Sequence, residues 1–388
     1  MAVAVSGLLD EARAWLSAAL DGPFADVRGI ADLSSAYDRR REWELKLGAA
    51  GLGAIGWPVE HGGRGATIAD QVAVAQEYAA LRAPSRIAHV GVELAGPTII
   101  AFGSDAQKAR FLPGIASGRE LWAQGYSEPN AGSDLANVRT RARLEDGRWI
   151  IDGQKIWTSL GMIADWAFVV VRTEEGSRGP KGLSYLLVPL DQPGIVRRPI
   201  RQMTGDAEFA ELFFDGAVTD ADNIVGEAGQ GWAIAMATLG FERGVSTVVQ
   251  QMQFGNELAA LIEVARANGK ARDPIIRQRI ADAWIGLELM RHGLLRTLSD
   301  EATEDLGNEA LTSKLYWSRW HRALGDLAMD VQGLAGEVAQ GNDYHFGALT
   351  QMHLASRADT IYAGASQIQR NLIAERGLGL PREPRGTV

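Results

Sequence analysis

An α+β fold in three parts follows from the sequence: a helical segment over residues 1–120, a β-domain over residues 121–225 and a helical bundle over residues 226–388. Two textures predict it. Towards both ends of the chain apolar residues recur at three- and four-residue spacing, the period of a buried helix face. Between them lie short β-branched and aromatic runs separated by turn pairs, the pattern of strands. A length of 388 residues suits two to three domains at ~150 residues each.

In the first part, Leu8, Leu9, Ala12, Trp15, Leu16, Ala19 and Leu20 share one helix face, and residues 66–81 behave alike. Gly62-Gly63-Arg64-Gly65 and Ala83-Pro84 punctuate them. In the second part, Trp149-Ile150-Ile151, Trp166 to Val171, Leu183 to Val188 and Leu212-Phe213-Phe214 read as strands. Asp146-Gly147, Asp152-Gly153 and Pro193-Gly194 supply the turns. Short strands at this spacing argue for a compact β-barrel or sandwich. From Trp232 onward, Ala/Leu/Glu/Arg-rich stretches break near Asn268-Gly269, Asp273-Pro274, Gly307-Asn308 and Gly341-Asn342, which predicts about four long helices.

Composition removes whole classes of function. The net charge is −9 and no basic tract exceeds Arg39-Arg40-Arg41, so neither nucleic acid nor an anionic membrane surface is expected as a partner. With no cysteine there are no disulfides, thiolate metal sites, iron–sulfur clusters or cysteine nucleophiles. The N-terminal stretch meets Asp10 and Glu11 early, unlike a secretory leader, and no uncharged run reaches the ~18 residues of a membrane span. A cytoplasmic protein is expected.

Three familiar patterns mislead or are missing. Gly51-Leu52-Gly53-Ala54-Ile55-Gly56 matches the dinucleotide fingerprint in letters, but a helical pattern precedes it and Trp57-Pro58 follows it, so a helix C-cap and loop is the better account. The six histidines (His61, His89, His292, His321, His345 and His353) show no metal-ligand spacing, and no metal site is expected. There is no G-x-S-x-G elbow for a serine hydrolase.

The chemistry concentrates in four stretches. Tyr126-Ser127-Glu128-Pro129-Asn130-Ala131-Gly132-Ser133-Asp134 is a tight loop after an apolar entry. Its amides and hydroxyls suit a phosphate or a heterocycle edge, and it reads equally as a polar β-turn. Gly153-Gln154-Lys155-Ile156-Trp157-Thr158-Ser159 places an aromatic and two hydroxyls at a strand end. Phe241-Glu242-Arg243 falls in an otherwise apolar helix. The last stretch is Ile361-Tyr362-Ala363-Gly364-Ala365-Ser366-Gln367-Ile368-Gln369-Arg370-Asn371. In this order and at these separations the four stretches resemble the acyl-CoA dehydrogenase family over essentially the whole chain.

The resemblance implies an N-terminal helical domain, a middle β-domain, a C-terminal four-helix bundle and FAD-dependent α,β-dehydrogenation of an acyl-CoA thioester. A carboxylate removes the α-proton while the β-hydrogen leaves as hydride to flavin N5. The α-proton is weakly acidic, so the thioester oxygen must be hydrogen-bonded as enolate charge develops. The family uses a ribityl hydroxyl of FAD and a backbone N–H, here that of Ala363. By the same match Ser127 lies near flavin N5 and Tyr126 along the pyrimidine side. Trp157 flanks the isoalloxazine, Ser159 makes a further flavin contact, Ser133 contacts the CoA portion and shapes the flavin loop, and Gln367 reaches FAD. On their own residues, the lesser readings are a core residue for Trp157 and a turn hydroxyl for Ser159. An electron-transfer flavoprotein is the implied acceptor, and lipid metabolism the implied setting.

Two departures stand out. The commonest position of the base follows the tyrosine of the I-Y-x-G segment, and here it is Ala363. Isovaleryl-CoA dehydrogenase and long-chain members carry the base on the first long C-terminal-domain helix, immediately before an arginine, as Glu242-Arg243 does here. Glu242 is therefore the expected base, its pKa raised by desolvation, and Arg243 orients Glu242 or the acyl chain. The second departure is Gln251, where homotetramers of the family place an arginine that reaches the neighbour's FAD pyrophosphate. Losing that charge-assisted contact is worth ~1.5–3 kcal/mol. The glycine-rich FAD segment is also altered, to Gln332-Gly333-Leu334-Ala335-Gly336. Either a homotetramer tolerates both changes or a related subunit completes a heterotetramer, as in bacterial members acting on sterol side chains. An acyl-CoA oxidase, a flavin monooxygenase or a structural subunit on the same fold are the alternatives. Gly91, Ala95 and Gly96 would leave room for a long, branched or ring-bearing acyl group.

Overall fold

The N-terminal apolar stripe folds, in a computed structural model, into α1 (Gly7–Leu20), which buries Ala12, Leu16, Ala19 and Leu20. The structure describes residues 7–30, 32–241, 246–300, 308–339 and 346–382. The chain divides into two compact units, Met1–Gln202 with Asp206–Ser246 and Met203–Gly205 with Thr247–Val388.

In the first unit α1 packs with α2 (Tyr37–Ala49) and α3 (Ile68–Ala80) around Trp43, which is fully buried. The end of α2 settles the glycine-rich decoy. Gly51 adopts φ +69°, its N–H donates to the Gly48 carbonyl at 2.9 Å, and the Leu52 N–H reaches back to Leu47 at 3.0 Å. That is a Schellman C-cap, with Leu52 and Leu47 in one apolar cluster. A six-residue π-helical turn, Val90–Ala95, then leads into α4 (Gly96–Phe102), and a Ser104/Gln107 capping box opens α5 (Asp105–Ala116).

Eight strands follow: β1 (Trp122–Gly125), β2 (Arg141–Glu145), β3 (Arg148–Ser159), β4 (Trp166–Arg172), β5 (Leu183–Pro189), β6 (Ile195–Ile200), β7 (Phe209–Asp220) and β8 (Ile224–Val225). They form one sheet in the order β6-β7-β3-β2-β4-β5-β8, and β1 runs parallel to β4 at the edge of the latter. The sheet curls: the Thr219 hydroxyl of β7 donates to the Leu187 carbonyl of β5 at 2.6 Å, although three strands separate them in the sheet. Both faces are covered. Phe168 and Val170 face the helical side with Phe111, Trp122 and Ile99, while Val169 and Val171 face an inner core with Ile151, Val188 and Leu212. The strand α6 (Gly231–Phe241) leans on is β5, and a Cβ at Gly231 would fall within 2.6 Å of Ser184 backbone atoms, so only glycine permits this approach.

In the second unit α7 (Ser246–Ala267), α8 (Pro274–Asp300), α9 (Asn308–Gln332) and the shorter α10 (Ala348–Ser356) share one core, built from Leu258, Leu261, Ile276, Leu324, Leu327, Val331, Leu349 and Met352. The breaks at Asn268-Gly269 and Asp273-Pro274 fall where predicted, and the expected break at Gly341-Asn342 lies outside the described residues. The fourth helix is nine residues, not long. Its continuation would run through Ala363 and Gly364, whose φ of +48° and +93° no right-handed helix holds. A 3-10 turn, Ala358–Thr360, and α11 (Ser366–Leu372) complete the described fold. No helix among the described residues is long and apolar enough to cross a membrane.

Candidate active site

Strand β1 delivers the chain into the loop of residues 126–134. Tyr126 is buried, its ring edge-on to Phe168 and Tyr185. Glu128 and Ala131 exchange backbone hydrogen bonds of 3.1 and 3.0 Å, which closes the turn. The Glu128 side chain turns inward and accepts from the Arg139 N–H at 2.6 Å, the Thr140 N–H at 2.9 Å and Lys155 Nζ at 2.8 Å. Lys155 also donates to the Tyr126 carbonyl at 3.0 Å. This ammonium is completely buried. Burial pulls its pKa down, opposed by the Glu128 charge, to about 8. Burial works to raise Glu128, but Lys155 and the backbone donors hold it below the usual carboxylate range. Both groups are therefore charged at neutral pH, and together they fix the loop.

The Ser127 carbonyl accepts from the Ile156 N–H at 2.9 Å, so the loop is also pinned to β3 at the residue before Trp157. There β3 carries a bulge: Lys155 pairs with Leu212 and Thr158 with Ala210, so Ile156 and Trp157 of β3 stand against the single Glu211 of β7. Trp157 takes up the irregularity at φ +58°, a left-handed conformation that costs a bulky residue of order 1–3 kcal/mol. The indole is 54% exposed and, among the aromatic rings of the described residues, meets an edge-on Phe209. Thr158 is buried beside it, and its hydroxyl has no hydrogen-bond partner among the described residues. Ser127 and Ser159 are half-buried, and Ser133 is exposed. An exposed tryptophan next to a loop of amides and hydroxyls suits a planar, hydrogen-bonding heterocycle. These residues fit the flavin of FAD.

The second unit holds the other expected positions. Ala363 is exposed in its left-handed turn, and its carbonyl accepts from Gln369 Nε2 at 3.4 Å. Gln367 lies on a cavity of about 590 Å3 that Arg319, Arg322, Arg370 and Asp326 also line, three cations against one carboxylate. Gly333 is exposed at φ +59° in the turn that ends α9. Gln251 differs from expectation: it is buried, and Nε2 donates to the Met290 carbonyl of α8 at 3.3 Å. Its amide is engaged inside its own unit. Glu242 and Arg243 lie outside the described residues.

Sequence reasoning overlooked three structural supports. Glu128 and Lys155 stood inside quoted motifs but received no role. His321 was read only for metal spacing, yet it is buried between the carboxylates of Asp359 and Glu257 at 2.6 and 2.9 Å. A histidine on the same helical stripe as Trp317, Leu324 and Ala328 was the available signal.

Comparison with known proteins identifies the family. The acyl-CoA dehydrogenase N-terminal domain matches residues 8–119, the middle domain residues 123–217 and the C-terminal domain residues 229–378. Acyl-CoA dehydrogenase IpdE1 of Mycobacterium tuberculosis (strain ATCC 25618 / H37Rv) is 53% identical over 379 residues, which covers 97% of this chain and 98% of the relative. The solved Tcur3481-Tcur3483 steroid ACAD superposes with a TM-score of 0.86 at 30% identity, over 98% of both chains. The ChsE4-ChsE5 complex from Mycobacterium tuberculosis gives 0.82 at 29% identity, over 97% of each chain. The chain belongs to the acyl-CoA dehydrogenase family of FAD-binding flavoprotein oxidoreductases.

Proposed function

We propose that the protein dehydrogenates a steroid-derived acyl-CoA thioester at its α,β-bond, in the cytoplasm, as one subunit of an assembly with a related chain. FAD, when bound, supplies the acceptor for the β-hydrogen and its electron pair. Glu242 takes the α-proton on its carboxylate. The Ala363 N–H donates to the thioester oxygen as charge develops there, a role that survives the loss of a carboxylate at this position because it belongs to the backbone. Trp157, Tyr126, Ser127 and Ser159 hold the flavin, and the Glu128–Lys155 pair keeps their loop rigid. Gln367 and Gly333 serve the remainder of FAD, Ser133 serves the CoA portion, and Arg243 orients Glu242 or the acyl chain. An electron-transfer flavoprotein takes the electrons onward.

The observation that carries the reading is Trp157, a tryptophan kept exposed on a left-handed backbone where a flavin would stack. The steroid substrate rests on the relative named as a steroid ACAD. A second chain is supported by Gln251, whose amide is engaged with Met290 and carries no charge for a pyrophosphate. Exposed Trp284, Ile285 and Leu289 on α8 add an apolar surface. Glu242→Gln in the FAD-loaded assembly tests the base. Turnover of a steroid side-chain acyl-CoA is expected to fall by ~10²–10⁴ with FAD content unchanged, and undiminished turnover would remove Glu242 from the mechanism.

A further inference from the structure

The amide assigned to the thioester sits in a turn that a residue with a Cβ does not adopt by preference: Ala363 stands at φ +48°. Such a conformation persists only where the surroundings over-determine it. The surroundings are a charged network beneath the turn. The N–H groups of Ile361 and Tyr362 both donate to the Ala358 carbonyl, at 2.8 and 3.1 Å, which reverses the chain just before Ala363. The Tyr362 hydroxyl donates to Asp359 Oδ1 at 2.8 Å. The other carboxylate oxygen, Oδ2, lies 2.6 Å from His321 Nδ1. Lys314 donates to the Asp359 carbonyl and lies 4.5 Å from the centre of the Tyr362 ring and 3.9 Å from that of Trp317.

His321 is the hub. Its second nitrogen, Nε2, lies 2.9 Å from Glu257 Oε2 on α7. Ionised carboxylates only accept hydrogen bonds, so both ring nitrogens must donate, and only the imidazolium has two N–H groups. The Phe254 ring packs on it with centroids 4.4 Å apart, a face that favours a cation. The charged and titratable groups around it are Glu257 from α7, Asp359 and Tyr362 from the segment after α10, and Lys314 from α9. Burial works to remove the second proton, but the hydrogen bonds to Asp359 and Glu257 outweigh it and push the imidazole up to about 9.

We infer that His321 is a positioning residue: as an imidazolium locked between Glu257 and Asp359, it anchors Asp359 and, through the Tyr362 hydroxyl, holds the turn that presents the Ala363 N–H. The inference rests on the role given to Ala363 above. It assigns a function to a buried charge that takes no part in the chemistry and touches neither substrate nor flavin in the mechanism described.

Hydrogen exchange of residues 358–364 in the FAD-loaded protein, read by mass spectrometry, tests it without reference to turnover. His321→Gln is expected to speed exchange there about tenfold, with residues 126–133 unchanged. In the unmodified protein, protection of residues 358–364, corrected for intrinsic exchange, should fall as pH passes about 9, and this step should vanish in H321Q. Tyr362→Phe removes one hydroxyl and serves if H321Q does not fold. It should loosen the same segment while the imidazole, followed by NMR, still titrates near 9. Unchanged protection in Y362F, or a His321 that titrates at its ordinary 6.5, overturns the inference. Its failure is separable from that of the base: Y362F with normal protection leaves Glu242 in place, and E242Q with normal turnover leaves His321 in place.

Discussion

Lys155 Nζ lies 2.8 Å from Glu128 Oε1 and 3.0 Å from the Tyr126 carbonyl, so a single buried ammonium ties β3 to both the entry and the turn of the loop over residues 126–134. Lys155→Met removes that charge with little change of shape. It leaves the Glu128 carboxylate buried against backbone donors alone, and ~3–5 kcal/mol of stability should be lost. Glu128→Gln combined with Lys155→Met should cost less than the two single changes together, because neither charge is then stranded. Urea unfolding of the four proteins measures this coupling. Strictly additive losses would show that the pair does not act as a unit.

Trp157 poses the opposite case, a residue that costs stability where it stands. Glycine adopts φ +58° freely, and the indole is 54% exposed, so Trp157→Gly gives up little packing. The apoprotein should be as stable as before or more stable by ~1 kcal/mol. FAD affinity should fall ~2- to 10-fold, since aromatic stacking is worth ~0.5–1.5 kcal/mol. Thermal denaturation of apoprotein and flavin titration together decide it. A destabilised apoprotein with unchanged FAD affinity would make Trp157 a core residue after all.

How much of this was legible depended on whether a signal was local. The stripe of α1, the strands β3 to β5 and the breaks at Asn268 and Asp273 were read correctly because periodicity and turn residues report on their own neighbourhood. Lys155 was also legible in principle. It shares the parity of the buried Trp149 and Ile151 along β3, so a charge there had to meet a buried partner. The identity of that partner, Glu128 across the loop, is a tertiary fact. The same holds for His321, whose two carboxylates come from residues 64 and 38 positions away. The short α10 was missed because it stops at Ser356, where neither glycine nor proline marks an end. The inward course of Gln251 was missed because a family position says where a backbone lies, not where a different side chain goes.

That last point leads to a prediction. Restoring the family's arginine looks like a repair, but the side chain at 251 is 7% exposed, and its Oε1 has no partner among the described residues. A guanidinium there would be buried against the Met290 carbonyl. Gln251→Arg should destabilise the protein by ~2–4 kcal/mol and should not raise the FAD content of the chain purified alone. Flavin absorbance per chain and thermal denaturation read both effects. A stable Q251R protein with more bound FAD would show that this position reaches the cofactor despite its present burial.

The His321 network predicts a specific dependence of stability on pH. The folded imidazole is raised to about 9 from its ordinary 6.5, so the folded state holds a proton that the unfolded chain releases between those values. Its contribution, ~3 kcal/mol for a shift of this size, is complete below the unfolded value and disappears as pH rises through the folded one. Lys155 acts in the opposite sense. Its folded pKa of about 8 lies below the ordinary 10.5, so stability is gained, not lost, as pH climbs between them. The two effects overlap near pH 8–9 and would blur in the unmodified protein alone. The difference between wild type and H321Q isolates the histidine, since Lys155 is common to both. That difference in melting temperature should be several degrees at pH 6 and should shrink towards zero by pH 10. A gap that stays constant over this range would mean that His321 contributes by packing and not by its charge.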